Sequence, residues 1–118
     1  MQIKVNKILS YQTLVYKNGS RTFRKKKYND YIQEIGNQLN DETYKGDVAI
    51  KIIFKCKNRV VGDIDNITKP VLDTLQSYGV IENDKFVQEL HLQKKYGFKY
   101  NQIDIYISQP QEWLDKEG

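Results

Sequence analysis

Two aspartates, a lysine and a third aspartate are the residues of this sequence best suited to chemistry. They lie in Gly62-Asp63-Ile64-Asp65-Asn66-Ile67-Thr68-Lys69-Pro70, with Asp84 following. Two carboxylates as close as Asp63 and Asp65 repel one another unless a cation sits between them, and hard divalent ions such as Mg²⁺ favour oxygen ligands. With Asp84 added, such a cluster would hold one or two ions. Ions so held polarise a phosphodiester, orient an attacking water and lower its pKa. On a helix, Lys69 would sit one turn beyond Asp65, where its ammonium can meet a phosphate oxygen or the charge that develops during reaction. Asp73, one turn further, is placed to pair with Lys69. Asn66 would either cap the helix or fix a carboxylate from behind.

Each of these residues also has a plainer use. An Asp-X-Asp complements a helix N-terminus, Asp84 in Glu82-Asn83-Asp84-Lys85 suits a turn, and a lone lysine is ordinary solvated surface. His91, the single histidine, falls mid-strand with no Ser or Cys partner near it in sequence, which fits a structural role better than that of a catalytic base.

Positioning these residues requires a helix of known start. Ile67, Val71, Leu72, Leu75 and Tyr78 form an apolar stripe, and Gly79 is a natural stop. Pro70 lacks an amide hydrogen and fits the first turn, which places the helix start near residues 66–68. Asp63 and Asp65 then lie at or before the N-terminus. In extended backbone there, both would project to one side while Ile64 points into the core. Upstream, residues 2–8 alternate as a strand with one wet face, and Lys17-Asn18-Gly19-Ser20 carries the turn chemistry of a loop or hairpin that would carry exposed Arg21 and Arg24. Tyr28, Tyr31, Ile32, Ile35 and Leu39 recur at helical spacing over residues 24–39. The basic run Arg24–Lys27 opposes the dipole preference of that helix's first turns. It is either a phosphate-contacting segment or a solubilising stretch ahead of the helix. Val48 to Cys56 alternates as a strand with one apolar and one partly basic face, Cys56 reading as a small buried hydrophobe. Strands are also expected over residues 86–96 and 102–108, with residues 97–101 joining them as a hairpin. The order β-α-β-α-β-β implies an α+β fold: a mixed sheet with two main helices on one face.

Composition narrows the function. The chain of 118 residues suits one domain, residues 1–110, with 111–118 a polar tail in which Trp113 and Leu114 could dock. With 39% hydrophobic and 29% charged residues it is not a low-complexity chain. No apolar run approaches the roughly 18 residues of a membrane span, and the first residues lack a secretion signal's apolar core. A single cysteine excludes an internal disulfide, and a cytoplasmic setting is expected. Residues 1–62 carry 13 Lys/Arg against 5 Asp/Glu, whereas residues 63–118 carry 6 against 10. That asymmetry suggests a polyanion-binding surface beside a carboxylate-lined site. The chain has no Ser/His/Asp signature, no glycine-rich phosphate loop and no Cys/His cluster to support competing chemistries.

The block Asp63-Ile64-Asp65-Asn66-Ile67-Thr68-Lys69, then Asp73, then Asp84 resembles the RusA family of Holliday junction resolvases, small dimeric endonucleases of bacteria and of prophages and phages. The likeness extends over about residues 2–108. It implies that Asp63, Asp65 and Asp84 are metal-binding catalytic aspartates, that Lys69 is the catalytic lysine, and that Lys94 contacts DNA. It further implies a homodimer that uses Mg²⁺, with Mn²⁺ as a substitute, to cut one phosphodiester in each of two symmetry-related strands of a four-way DNA junction. Arg21, Arg24, Lys25, Lys26, Lys27, Lys55, Lys57, Arg59, Lys94 and Lys95 are candidate phosphate contacts. One departure stands out. Many members open with a Pro-Pro-Ser block and an asparagine after the first strand, where this chain has Leu9-Ser10-Tyr11-Gln12-Thr13. A branched-DNA-binding protein without nuclease activity, or a metal-dependent phosphodiesterase acting on another substrate, are the alternative readings.

Overall fold

A computed structural model of the chain describes residues 1–59 and 62–109, so the tail over residues 111–118 lies outside the described residues. The architecture is α+β with a mixed four-stranded sheet. Strand β1 (Gln2–Val5) is followed by a four-residue helix α1 (Tyr11–Leu14) and a hairpin of β2 (Val15–Asn18) and β3 (Arg21–Arg24). Helix α2 (Lys26–Gly36), strand β4 (Val48–Cys56), helix α3 (Ile64–Ser77), a 3-10 turn (Asp84–Phe86), β5 (Val87–Tyr96) and β6 (Asn101–Ser108) complete it. The expected order is therefore incomplete: α1 and the β2–β3 hairpin stand between β1 and α2. Four-residue elements leave too short a periodic signal to be read in advance, although the turn chemistry of residues 17–20 does mark the turn of this hairpin, whose β3 carries the exposed Arg21 and Arg24.

The main sheet runs β1-β6-β4-β5, with β4 and β5 parallel and the other pairs antiparallel. This corrects the expected β5–β6 hairpin, because β6 pairs with the far side of β4. The reason lies in β4. Six of its nine residues are buried, so it takes the centre, where both edges are paired. Residues 97–100 carry the chain across the end of β4, where the Phe98 amide donates to the Cys56 carbonyl at 3.2 Å.

One face of the sheet is covered. Ile50, Ile52 and Phe54 of β4 lie in register with Ile107, Ile105 and Ile103 of β6, and Ile3 of β1 continues the row. Against these pack Tyr28, Tyr31, Ile32 and Ile35 from α2 and Ile67, Val71 and Leu75 from α3, forming one core. The amphipathic stripes expected for the two helices are largely the ones buried, except that α2 ends at Gly36 with Leu39 only partly covered, Leu72 is partly covered, and Tyr78, the α3 C-cap, is exposed. The opposite face carries Lys51, His91, Lys95 and Tyr106, all exposed. It also hides an acid. Asp104 is 1% exposed, bound by Lys55 Nζ at 2.7 Å and by the Gln102 amide at 2.7 Å. That hydrogen bond holds the Lys55 ammonium above its usual pKa.

Helix α3 starts earlier than Pro70 suggested. Asp63 is its N-cap in extended backbone (φ −75°, ψ 159°), and the Ile67 amide donates to the Asp63 carbonyl at 3.2 Å. Pro70 thus lies in the second turn, where it removes one helical hydrogen bond. Its ring is buried, as are Ile67 and Val71 beside it. Burial of that turn in the core offsets the lost bond, which local propensity alone does not anticipate.

Candidate functional site

The early helix start rearranges the carboxylates. Asp65 is in the first turn of α3 rather than in extended backbone, so the strand-like alternation expected of Asp63 and Asp65 does not apply. Asp65 instead shares a stripe with Thr68, Lys69, Leu72 and Asp73, spaced three and four residues apart. This stripe forms one wall of a cavity of about 260 Å³, and Asp84, Leu90 and Leu92 form the other. The 3-10 turn places Asp84 there. The Asn83 side chain accepts from the Lys85 amide at 3.0 Å, and the Asp84 amide donates to Gln76 Oε1 of α3 at 3.0 Å. Asp84 accordingly sits in a turn ahead of β5.

Asp65, Lys69, Asp73 and Asp84 are thus brought to one cavity, whereas Asp63, exposed at the N-cap, does not line it. Asn66 does not cap the helix, since Asp63 occupies that position. Among the described residues, no three His, Cys, Asp or Glu side chains converge at metal-ligand spacing. Asp65 and Asp84 nevertheless present exposed oxygen donors to a common space. That donor set fits a small hard cation such as Mg²⁺, which is commonly held by one or two carboxylates, its shell completed by water and substrate phosphate.

Asp73 has other work. Its Oδ1 lies 3.7 Å from Lys69 Nζ, as the spacing predicted, and its Oδ2 lies 3.6 Å from an Arg24 guanidinium nitrogen. The Tyr28 hydroxyl also donates to Oδ2. Burial, together with the adjacent Asp73 carboxylate, pushes the Tyr28 phenol well above its usual pKa. The Arg24 guanidinium lies over the Tyr28 ring, 4.4 Å from its centroid. Sequence reasoning missed this cluster. Tyr28 read as one member of an apolar stripe, and only the hydroxyl distinguishes it from a plain core residue.

The candidate phosphate contacts do not form one patch. Lys94 and Lys95 point to opposite faces of β5, and Lys95 shares the helix-free face with Lys55. Lys55 is committed to Asp104. Lys94 donates to the Gly62 carbonyl at 3.3 Å, and it and Arg59 flank the Tyr96 ring at 5.8 and 5.2 Å, beside the start of α3. Gly62 has φ +121°, a conformation that L side chains rarely adopt, and a Cβ there would come within 3.1 Å of Ser10 Cβ. Arg21 and Arg24 lie on the exposed hairpin strand β3, Lys57 lies exposed beyond β4, and Lys26 and Lys27 occupy the first turn of α2. Lys25 is the α2 N-cap, and its ammonium donates to the Thr13 carbonyl at 3.2 Å. Lys26 pairs with Asp30 at 3.7 Å.

An α+β domain whose cavity combines carboxylate oxygens with an ammonium at the rim is suited to phosphate chemistry. The model of a known family, described as endodeoxyribonuclease RusA, matches residues 8–108, and the chain belongs to that family. A crossover junction endodeoxyribonuclease RusA from Aquifex aeolicus (strain VF5) is 33% identical over 64 residues, covering 54% of this chain and 51% of that protein. The chain is therefore matched over about half the length of this curated relative.

Proposed function

We propose that this chain is a divalent-metal-dependent endonuclease that resolves four-way DNA junctions in recombination and repair. The observation that carries the reading is the cavity bounded by Asp65, Lys69 and Asp84, in a chain of the RusA family. Asp65 and Asp84 are the proposed ligands of Mg²⁺ or Mn²⁺, with Asp63 contributing from the helix N-cap. When bound, the ion supplies polarisation of the phosphodiester and a more acidic water. Lys69 donates to a non-bridging phosphate oxygen, and Asp73 holds that lysine in place. Arg59 and Lys94 beside Tyr96, together with the exposed hairpin and α2 cations, contact backbone phosphates without reading sequence, so affinity falls steeply with salt. A homodimer provides two equivalent sites for a two-fold junction. The setting is the cytoplasm of a bacterial cell, as a chromosomal or phage-borne enzyme.

The test is cleavage of a labelled synthetic four-way junction by the wild type and Asp65→Asn, with Mg²⁺, with Mn²⁺ and with chelator. Paired symmetric nicks are expected only with metal. Asp65→Asn should lower the rate by more than about 100-fold, beyond the usual cost of losing an outer-shell partner. Binding without cleavage by folded wild-type protein would leave a branched-DNA-binding module. Equal cleavage of duplex, flap and junction would point to a less selective phosphodiesterase.

A further inference from the structure

The lysine at the cavity rim is held from two sides. Its ammonium lies 3.7 Å from Asp73 Oδ1 and 5.2 Å from the centroid of the Tyr11 ring. Tyr11 packs edge-on against Tyr28, with centroids 6.0 Å apart and ring planes at 87°, and the Tyr28 hydroxyl donates to Asp73. The four side chains form a closed circuit: Lys69 to Tyr11, Tyr11 to Tyr28, Tyr28 to Asp73, Asp73 to Lys69.

The two tethers differ in kind. An ion pair to an ammonium that is 48% exposed holds a long side chain weakly, and Asp73 is shared with Arg24. Guanidinium is the better fit to a carboxylate, so Arg24 competes with Lys69 for the one Asp73 charge. The Tyr11 ring attracts the ammonium through its quadrupole and consumes none of its three N–H donors. Those donors remain available for phosphate oxygens.

Tyr11 is itself well anchored. It opens α1, whose Leu14 is fully buried, and the Leu14 carbonyl accepts from the Lys25 amide at 2.9 Å. Ser10, the α1 N-cap, lies against Gly62, the residue before the N-cap of α3. The start of α1 thus meets α3 at two points, Ser10 at its entrance and Tyr11 at Lys69. We propose that Tyr11 is a positioning residue that holds the Lys69 ammonium at the rim of the cavity lined by Asp65 and Asp84. The proposal rests on that cavity being the nuclease site.

The test compares wild type with Tyr11→Phe, Tyr11→Leu and Tyr11→Met, each checked for folding by thermal melting. The first readout needs no activity: the Lys69 ε-methylene proton resonances, assigned through their loss in Lys69→Arg. Ring-current displacement is expected in wild type and Tyr11→Phe. In Tyr11→Leu and Tyr11→Met the resonances should return to the position of an exposed lysine. On junction DNA, both aliphatic variants should lose about two- to fivefold in kcat with KM held, and Tyr11→Phe should recover that loss. Lys69 resonances that are the same in all four proteins would overturn the proposal, as would an unchanged kcat in the aliphatic variants. If the wild type cuts no junction, the nuclease reading fails, and the resonances alone still decide whether Tyr11 holds Lys69.

Discussion

Replacing Asp73 in two ways separates its structural role from its role in holding Lys69. Asp73→Asn keeps an oxygen that accepts from the Tyr28 hydroxyl but deletes the charge facing Lys69 at 3.7 Å and Arg24 at 3.6 Å. Those cations are 48% and 49% exposed, so each pair contributes roughly 0.2–1 kcal/mol. Asp73→Ala removes the acceptor as well. Tyr28 has no exposed surface, and a buried donor left without a partner costs a further ~1–3 kcal/mol. Urea unfolding at pH 7 should therefore rank wild type above Asp73→Asn and place Asp73→Ala clearly lowest. In junction cleavage both variants should lose kcat, Asp73→Asn doing so at nearly native stability. Equal stability losses in the two variants would refute the Tyr28 hydrogen bond as a contributor. Full activity in Asp73→Asn would refute the ion pair as a tether of Lys69.

Stability should also fall in alkali. Burial, aided at Tyr28 by Asp73, raises both Tyr28 and Tyr31 above their usual pKa, so the folded chain keeps protons that the unfolded chain loses from about pH 10. Stability is whole below that pH and declines above it, by up to about 1.4 kcal/mol per pH unit for each tyrosine. Urea midpoints measured from pH 8 to pH 11 check this, and a flat profile would contradict it. Lys55→Met should lower the melting temperature, because it strands the buried Asp104 carboxylate with Gln102 alone, and adding Asp104→Leu should restore most of the loss. Gly36→Ala should destabilise although alanine favours helix, because a Cβ there would meet the Tyr78 ring at 2.1 Å. In a denaturation cycle, adding Tyr78→Ala should relieve most of that cost.

The parts of the fold that were legible in sequence are those with long, clean periods. Val48–Cys56 alternates over nine residues and forms the buried central strand, and the stripes of α2 and α3 are the faces that enter the core. Pairing order was not legible. Residues 97–101 are compatible with a tight turn or with a crossing over the end of β4, and only competition for the centre of the sheet decides between them. The burial of Asp104 was not legible either. It alternates with Ile103 and Ile105 and so falls on the helix-free face, where Lys55 and Gln102 bind it and leave it 1% exposed.

At the site, residue types suggested a chemistry but backbone state decided the grouping. An Asp-Ile-Asp in extended backbone pairs Asp63 with Asp65, whereas the same residues at a helix start pair Asp65 with Lys69 and turn both toward Asp84. Pro70 made the later start look necessary, because propensity penalises proline in a second turn and carries no term for the core that its ring enters. The N-terminal segment was harder still. Leu9 to Thr13 lacks the Pro-Pro-Ser block of many family members, and four helical residues have no period to detect. Yet that segment delivers Tyr11 to Lys69 and Ser10 to Gly62, contacts that join residues far apart in sequence and so leave no local pattern. At this place the chain sets Tyr11 against Lys69 while Asp65 and Asp84 keep their common cavity.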